Sequence, residues 1–202
     1  MNKISTLTGI IIIIVAIAIL FGGVFAYQYF LAKKLTDQIA GWKTYTNSQY
    51  GFEIKYPSNL NFTYGGSTNN SPAFNAFSAD NSITISLRLD DASLSAPDSP
   101  ALKPYNDFQD YVRQINGISD KIGQRYETIN VDKTLISGYE TIEQKKWDDT
   151  IPNSFSVITY FSRKNGTVSY FHLGRGSANE IGVTQSNIEL YHRVLSTFKF
   201  IK

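Results

Sequence analysis

Two histidines, His172 and His192, are the first candidates for chemistry in this chain of 202 residues, which contains no others. Imidazole changes charge near neutral pH and serves as a general acid or base. A Ser–His–acid triad is assembled in space, so the sequence does not exclude one. The linear motifs G-x-S-x-G, H-E-x-x-H and the Walker loop are absent. The histidines therefore indicate no particular class of enzyme.

A short glycine-containing segment, Gly174-Arg175-Gly176-Ser177, resembles the start of a phosphate-binding loop. It follows a predicted strand, as such loops do. It lacks the third glycine and the helix that should follow immediately. We therefore interpret it as a plain turn.

Two pairs of adjacent acids, Asp90-Asp91 and Asp148-Asp149, could bind a hard cation or act as acid and base. Adjacent residues on a strand point to opposite faces, and neither pair has the spacing of a calcium loop. Solvated loop ends are the favoured interpretation. We assign no catalytic, cofactor-binding or metal-binding residue and predict no cofactor.

The charge of the chain is unevenly distributed. Residues 1–41 contain three lysines and one acid, whereas residues 42–202 contain the other sixteen basic and sixteen acidic residues. Nucleic-acid binders need a basic surplus to displace counterions from phosphates, so no nucleic acid is predicted as a partner. There is no cysteine. That excludes thiol nucleophiles, thiolate zinc sites, disulfides and lipidation at cysteine.

An apolar run dominates the N-terminus, where no charged residue occurs between Ser5 and Ala32. A bilayer core of ~30 Å requires roughly 20 apolar residues in a helix. Residues 7–31 meet that length and are predicted to cross a lipid bilayer, with two tyrosines and a phenylalanine at the far end suited to the headgroup layer. The recurrence of Leu31, Leu35 and Ile39 every four residues predicts that the helix continues as a short stalk, which stops at Gly41.

A cleaved signal peptide is the alternative interpretation of this run, with cleavage after Ala26. The apolar core is longer than the ~7–15 residues usual in a signal peptide, which favours a retained anchor. The positive-inside count is nearly tied, because Lys3 and the N-terminal amine oppose Lys33 and Lys34. By the precedent of signal anchors, we expect a cytoplasmic N-terminus and extracytoplasmic residues 35–202 at the cell membrane.

Alternating patterns predict most strands of the remaining chain. In YGFEIKYP (Tyr50–Pro57), every second side chain is aromatic or apolar, which is typical of a half-buried strand. We predict that it forms a hairpin with Leu60–Tyr64 around residues 57–59. Further strands are predicted at residues 83–89, 126–131, 138–147, 154–163 and 167–173, the last two joined at Asn165-Gly166. Residues 65–72 and 90–104 have the composition of loops.

Two helices follow from apolar residues at helical spacing. The first has the stripe Phe108, Tyr111, Val112 and Ile115, with Asn106 as candidate N-cap and Asn116-Gly117 as the predicted stop. The second has the stripe Ile188, Tyr191, Leu195 and Phe198 after a predicted capping box of Ser186 and Glu189. Residues 198–201 then form a terminal strand or tail. The order of elements predicts an α+β fold with a mainly antiparallel sheet.

Two segments of this sequence resemble the ends of PsbP-like domains. They are WKTYTNSQYGFEIKYP (Trp42–Pro57) and VLSTFKF (Val194–Phe200). That family includes the extrinsic subunit of photosystem II, and its superfamily includes a nuclear-import regulator that binds the GTPase Ran. The resemblance implies an α/β/α sandwich over residues 42–202. A hydrophobic anchor stands where a photosynthetic member would have a transit peptide. No functional residue is carried over, because the matched positions are structural in the family.

Charge also separates along the soluble part. Residues 80–110 have a balance of −4 and residues 163–202 a balance of +4. If the two segments lie on different faces, the domain is a dipole suited to docking. If they are neighbours, their charges cancel. Both alternatives are open at the level of sequence.

The sequence thus predicts three parts: a transmembrane signal anchor (residues 1–34), a juxtamembrane stalk (35–41) and a PsbP-like soluble domain (42–202). The expected function is that of a single-pass envelope protein presenting a non-catalytic binding or assembly domain, with a protein partner in the envelope. An envelope hydrolase or other enzyme with an unrecognised site is the alternative. A pilin-like subunit is the weaker alternative, since no processing glycine precedes the apolar run.

Overall fold

The computed structural model describes residues 6–63, 73–93, 107–121, 125–130, 136, 138–147, 154–163, 166–175 and 182–201. Contacts between Cα atoms divide the chain into two compact units, Met1–Gly41 and Trp42–Lys202.

The first unit is built on one long helix, α1 (Thr6–Gln38). Within it, the window Ile13–Phe30 has a mean hydropathy of 2.1, and none of that window is buried. At ~1.5 Å per residue, a helix of 33 residues is about 50 Å long and exceeds a bilayer core. The helix continues past Lys34, as predicted, and a turn at Gly41 with φ of 78° follows it.

The second unit contains ten strands and two helices among its described residues. In chain order they are β1 (Lys43–Asn47), β2 (Phe52–Tyr56), β3 (Leu60–Thr63), β4 (Phe74–Ser78), β5 (Ile83–Ser93), α2 (Phe108–Lys121), β6 (Tyr126–Asn130), β7 (Thr141–Trp147), β8 (Phe155–Ser162), β9 (Thr167–Arg175), α3 (Gln185–Ser196) and β10 (Lys199–Phe200). Strands β1 and β4 were not predicted from the sequence.

The strands form two antiparallel sheets. The small sheet has the order β1-β2-β10, and the large sheet has the order β3-β4-β5-β9-β8-β7-β6. The predicted α+β class and antiparallel pairing are confirmed. The predicted hairpin between β2 and β3 is wrong, because β1 and β10 already pair with both edges of β2. The N–H of Leu60 instead donates to the carbonyl of Pro57 in a turn, after which β3 pairs with β4.

Both faces of the large sheet are covered, which produces the predicted sandwich. On one face, the alternating residues of β2, β5, β8 and β9 pack with α3 and form the main core; its largest fully buried members include Phe52, Phe74, Phe161, Phe171, Tyr191 and Phe198. On the other face, α2 packs over β7, β8 and β9 in a smaller cluster; its buried members are Phe108, Tyr111, Val112, Ile142, Ile158, Tyr160 and Val168. The aromatics of YGFEIKYP therefore fill the core, as their alternation indicates.

The start of α3 differs from the prediction. Its N-cap is Thr184, whose hydroxyl accepts the N–H of Asn187 at 3.3 Å. The N–H of Thr184 donates to the side-chain carbonyl of Asn187 at 2.9 Å, which completes the capping box. The prediction of Ser186 and Glu189 is wrong, because the helix begins two residues earlier. The predicted buried stripe is confirmed for Ile188, Tyr191 and Leu195, whereas Phe198 is buried but lies beyond the end of α3.

Two elements are longer than predicted. Strand β5 continues past Leu89 through a bulge and pairs again with β9 at Ala92 and Ser93, so the loop prediction for residues 90–93 is wrong. Helix α2 continues through Asn116-Gly117 to Lys121. The predicted cap Asn106 lies outside the described residues. Asp107 accepts the N–H of Asp110 at 2.7 Å and caps the helix.

Candidate functional site

Four polar side chains meet on the face of the large sheet that α3 covers. They are Glu143 on β7, Thr159 on β8, and Tyr191 and His192 on α3; we call them the buried polar cluster. Glu143 and Thr159 are opposite each other in the β7–β8 register, so their side chains share one face. Tyr191 points inward because it belongs to the apolar stripe of α3.

Hydrogen bonds connect the cluster from the core to the surface. The Tyr191 hydroxyl donates to Thr159 Oγ1 at 2.8 Å, and Thr159 Oγ1 donates to Glu143 Oε2 at 2.8 Å. His192 Nε2 lies 2.9 Å from Oε2 and 3.0 Å from Oε1 of Glu143. The side chain of Glu143 is 2% exposed and that of His192 is 32% exposed. His192 is therefore the member of the cluster through which solvent is reached.

Burial sets the protonation of the cluster's phenol. Burial raises the pKa of Tyr191 well above its usual value; the hydrogen bond to Thr159 opposes this, and the nearby Glu143 carboxylate adds to it. Tyr191 therefore keeps its proton and donates a hydrogen bond to Thr159. A buried carboxylate is costly unless bonded, and Glu143 has partners on both oxygens.

The order of these bonds is not that of a catalytic triad. In a triad, the imidazole lies between the acid and the nucleophilic hydroxyl. Here the carboxylate lies between the imidazole of His192 and the hydroxyl of Thr159. Within the described ranges, no group of three or more metal-ligating acids, histidines or cysteines is present. The geometry is that of a polar link that holds α3 on β7 and β8.

The other histidine lies on the opposite face of the sheet. His172 is opposite Ile158 and Ser86 in the register of β9, and Ile158 belongs to the cluster under α2. Burial, together with the positive charges of Lys146 and Arg88, lowers the pKa of His172 to about 4. The structure therefore does not bring the two histidines together.

The glycine-containing segment is explained in part by His172. Gly174 and Arg175 belong to β9, whereas Gly176 and Ser177 lie outside the described residues. A Cβ atom at Gly174 would come within 2.7 Å of Cε1 of His172. Gly174 therefore leaves room for an imidazole ring, which is a packing role.

Of the two pairs of acids, one lies in a strand and the other lies outside the described residues. Asp90 and Asp91 lie in β5 between Arg88 and Ala92, where the register with β9 shifts. Asp148-Asp149 lie outside the described residues. Strands β5 and β9 belong to the acidic and basic segments respectively, and they lie side by side in the sheet. For these two strands the structure agrees with the alternative in which the segments are neighbours.

Sequence reasoning missed Glu143, Thr159 and Tyr191 as parts of one site. Each sits in a correctly predicted strand or helix. The one signal available was an acid at position 143, inside a strand whose neighbours alternate toward a core. Its contacts with Thr159 and His192 follow from the strand register and the position of α3, which alternation does not reveal.

Comparisons with known proteins found a similarity in structure alone. No family model matches the chain, and no curated protein matches it. Among solved structures, the solution structure of cyanobacterial PsbP (CyanoP) from Synechocystis sp. PCC 6803 matches with a TM-score of 0.48 and 16% sequence identity, covering 80% of this chain and 94% of that chain. No residue or activity is transferred at this level of similarity. The family named by this neighbour is the one that the two terminal segments of residues 42–202 resemble.

Proposed function

We propose that this chain is a single-pass membrane protein that presents residues 42–202 as a non-catalytic binding or assembly domain, with a protein partner in the cell envelope. The observation that carries the proposal is the unburied apolar helix joined to a separately packed unit. The large apolar side chains from Ile13 to Phe30 are mostly more than half exposed. Such a surface is unfavourable in water and favourable in lipid.

The proposed arrangement places residues 7–31 in the lipid bilayer of the cell membrane. The N-terminus is cytoplasmic, residues 35–202 are extracytoplasmic, and the helix is retained rather than cleaved after Ala26. The length of α1 supports retention, because a signal peptide has a shorter apolar core.

The non-catalytic part of the proposal is supported by the buried polar cluster. Glu143 is bonded on both oxygens and its side chain is 2% exposed, so its carboxylate is not accessible to a substrate. The hydroxyl of Thr159 is equally buried and bonded to Tyr191.

Protease accessibility tests the topology. Protease added to intact spheroplasts should digest residues 42–202 and leave a fragment containing α1 in the membrane. Full protection of residues 42–202 from protease would indicate the opposite orientation. Release of the intact domain in soluble form would indicate cleavage after Ala26.

Photo-crosslinking from the domain surface tests the binding role. Crosslinkers introduced at exposed positions on each sheet should yield discrete adducts that cluster on one surface. Absence of adducts from every position, with a monomer by sedimentation in detergent, contradicts a binding or assembly role.

An envelope hydrolase is the second candidate, favoured by one observation: a partly exposed histidine lies 2.9 Å from a carboxylate. If His192 is catalytic, His192→Asn should abolish the hydrolysis of an ester substrate that the wild-type protein turns over. Under the binding role, the wild-type protein turns over none of a panel of esters and peptides.

A further inference from the structure

Two aromatic rings and two cations line one end of the large sheet; the residues are Arg125, Lys145, Trp147 and Phe155, and we call them the aromatic–cation row. Trp147 and Phe155 are opposite each other in the β7–β8 register, with ring centroids 5.3 Å apart. The guanidinium carbon of Arg125 lies 3.9 Å from the centroid of the Trp147 ring. Lys145 Nζ lies 5.0 Å from that of Phe155. Each cation is thus held over a ring.

The row occupies a single face. Lys145 and Trp147 are two residues apart on β7, so they point to the same side as Glu143. The N–H of Trp147 donates to the carbonyl of Arg125 at 3.0 Å, which places Arg125 beside it across the β6–β7 pair. The row therefore continues the α3-covered face beyond the buried polar cluster.

The aromatic–cation row is accessible to a binding partner. Arg125 is exposed, and the other three residues are half-buried. Among the described residues, Trp147 packs against neither core cluster, and its ring contacts are Phe155 and Arg125. A large aromatic residue outside the core, beside an arginine, has the composition of the energetic centre of a protein interface.

The cations of the row have no acidic partner among the described residues. Neither Arg125 nor Lys145 takes part in an ion pair there, although Glu127 is opposite Lys145 in the β6–β7 register. Stacking uses the face of a guanidinium and leaves its five N–H donors in the plane of the group. Those donors fit a carboxylate in a bidentate pair.

We propose that the aromatic–cation row is the docking surface of this domain, and that its partner is an acidic segment of another protein with an apolar residue between carboxylates. The apolar side chain covers Trp147 and Phe155, while carboxylates pair with Arg125 and Lys145. This inference rests on the proposed binding function and names the chemistry of the partner.

Peptide binding to the full chain in nanodiscs of zwitterionic lipid tests the inference. The probe is a fluorescein-labelled pentapeptide with leucine between two pairs of glutamates, and binding is measured by anisotropy. The double variant Arg125→Gln, Lys145→Gln should weaken binding about tenfold or more. The matched control Lys43→Gln, Lys55→Gln removes two charges on the small sheet and should change binding less than about twofold.

Further arms separate charge from shape. A peptide with lysines in place of the glutamates should not bind. Asp148-Asp149 follow the row in the sequence, so D148N/D149N should keep or strengthen binding of the acidic peptide. The thermal unfolding midpoint of each variant is measured to confirm that it is folded.

Three outcomes overturn the inference: equal binding by the Arg125/Lys145 variant and the wild type, equal binding of the lysine peptide, or loss of binding in D148N/D149N. Crosslinking distinguishes this failure from failure of the proposed function. A partner captured from Thr44 on the small sheet, but not from Glu127 beside the row, keeps the binding function and rejects the row as its site.

Discussion

Hydrogen bonds between side chains that are distant in the sequence link α3 to the large sheet. Thr159 is the central residue, because its hydroxyl accepts from Tyr191 and donates to Glu143. Its loss would leave the buried Tyr191 hydroxyl without that acceptor, at a cost of about 1–3 kcal/mol, whereas Glu143 would keep His192 as a partner. At the residue scale, one hydroxyl therefore supports the α3–sheet contact in addition to the apolar stripe of α3.

The substitution Thr159→Val should lower the free energy of unfolding by about 1–3 kcal/mol, since it keeps the shape and removes the hydroxyl. Urea unfolding of the full chain in detergent, followed by circular dichroism, measures the change. The control Thr44→Val alters an exposed threonine on β1 and should change stability by less than about 0.5 kcal/mol. A decrease in the free energy of unfolding no larger than in the control would show that the hydrogen bonds of Thr159 do not contribute to stability.

The lowered pKa of His172 predicts that the domain loses stability in acid. The folded-state pKa of this residue is lowered to about 4 from 6.5, so the unfolded state binds a proton first as pH falls. The stability that neutral His172 contributes is complete above pH 6.5 and is lost as pH falls toward 4. Between pH 7 and pH 4, the wild type should lose about 3 kcal/mol more than His172→Gln.

Two measurements check this prediction: urea unfolding at both pH values, and titration of the His172 ring by nuclear magnetic resonance. Equal acid sensitivity of the wild type and His172→Gln, or a ring that titrates near 6.5 in the folded protein, contradicts it.

At the scale of elements, the ends of helices and strands were less predictable than their faces. The stripe of α3 is read directly from apolar spacing, whereas its cap depends on which hydroxyl meets the first free N–H groups. Thr184 and Ser186 are both candidates by type, and they lie 2.9 Å apart by their hydroxyl oxygens. Backbone geometry selects Thr184, whose φ and ψ are −97° and 167°.

Separate substitutions of Thr184 and Ser186 test which hydroxyl caps α3. Thr184→Ala should destabilise the domain by about 1 kcal/mol, because the N–H of Asn187 loses its acceptor. Ser186→Ala should cost less than about 0.5 kcal/mol, because Ser186 caps no backbone group in the described structure. Chemical unfolding of both variants measures the difference, and the reverse ranking would place the cap at Ser186.

At the scale of the whole molecule, the two compact units differ in where their apolar side chains lie. The window Ile13–Phe30 of α1 has no charged residue on any side of the helix, a composition suited to lipid. Residues 42–202 instead bury their apolar side chains inside a sandwich whose faces are covered by α2 and α3. The contacts divide at Gly41 and Trp42. Under the proposed arrangement, α1 places its apolar side chains in lipid, whereas residues 42–202 place theirs in a protein core.

A charge in the middle of α1 should disrupt anchoring. Ile19→Arg places a charge near the centre of residues 7–31, where it costs about 3 kcal/mol. The fraction of protein that resists carbonate extraction from membranes should fall sharply. Gln38→Arg, at the exposed end of the same helix, should leave that fraction unchanged. Equal extraction of both variants contradicts a membrane-spanning α1.

Features that repeat over short distances can be predicted from the amino-acid sequence. The apolar run predicted α1, alternation predicted the buried face of β2, and helical spacing predicted the stripe of α3. These patterns are local, because every turn of a helix or step of a strand meets the same environment.

The identity of neighbouring elements is known from the three-dimensional fold and not from local patterns. Alternation shows that Phe52 and Ile54 are buried but does not show that β10, at the far end of the chain, pairs with β2. In the same way, Glu143 and His192 are 49 residues apart and meet through the packing of α3 on β7. Such contacts depend on the joint burial of all strands and helices, and no local period of the sequence records them.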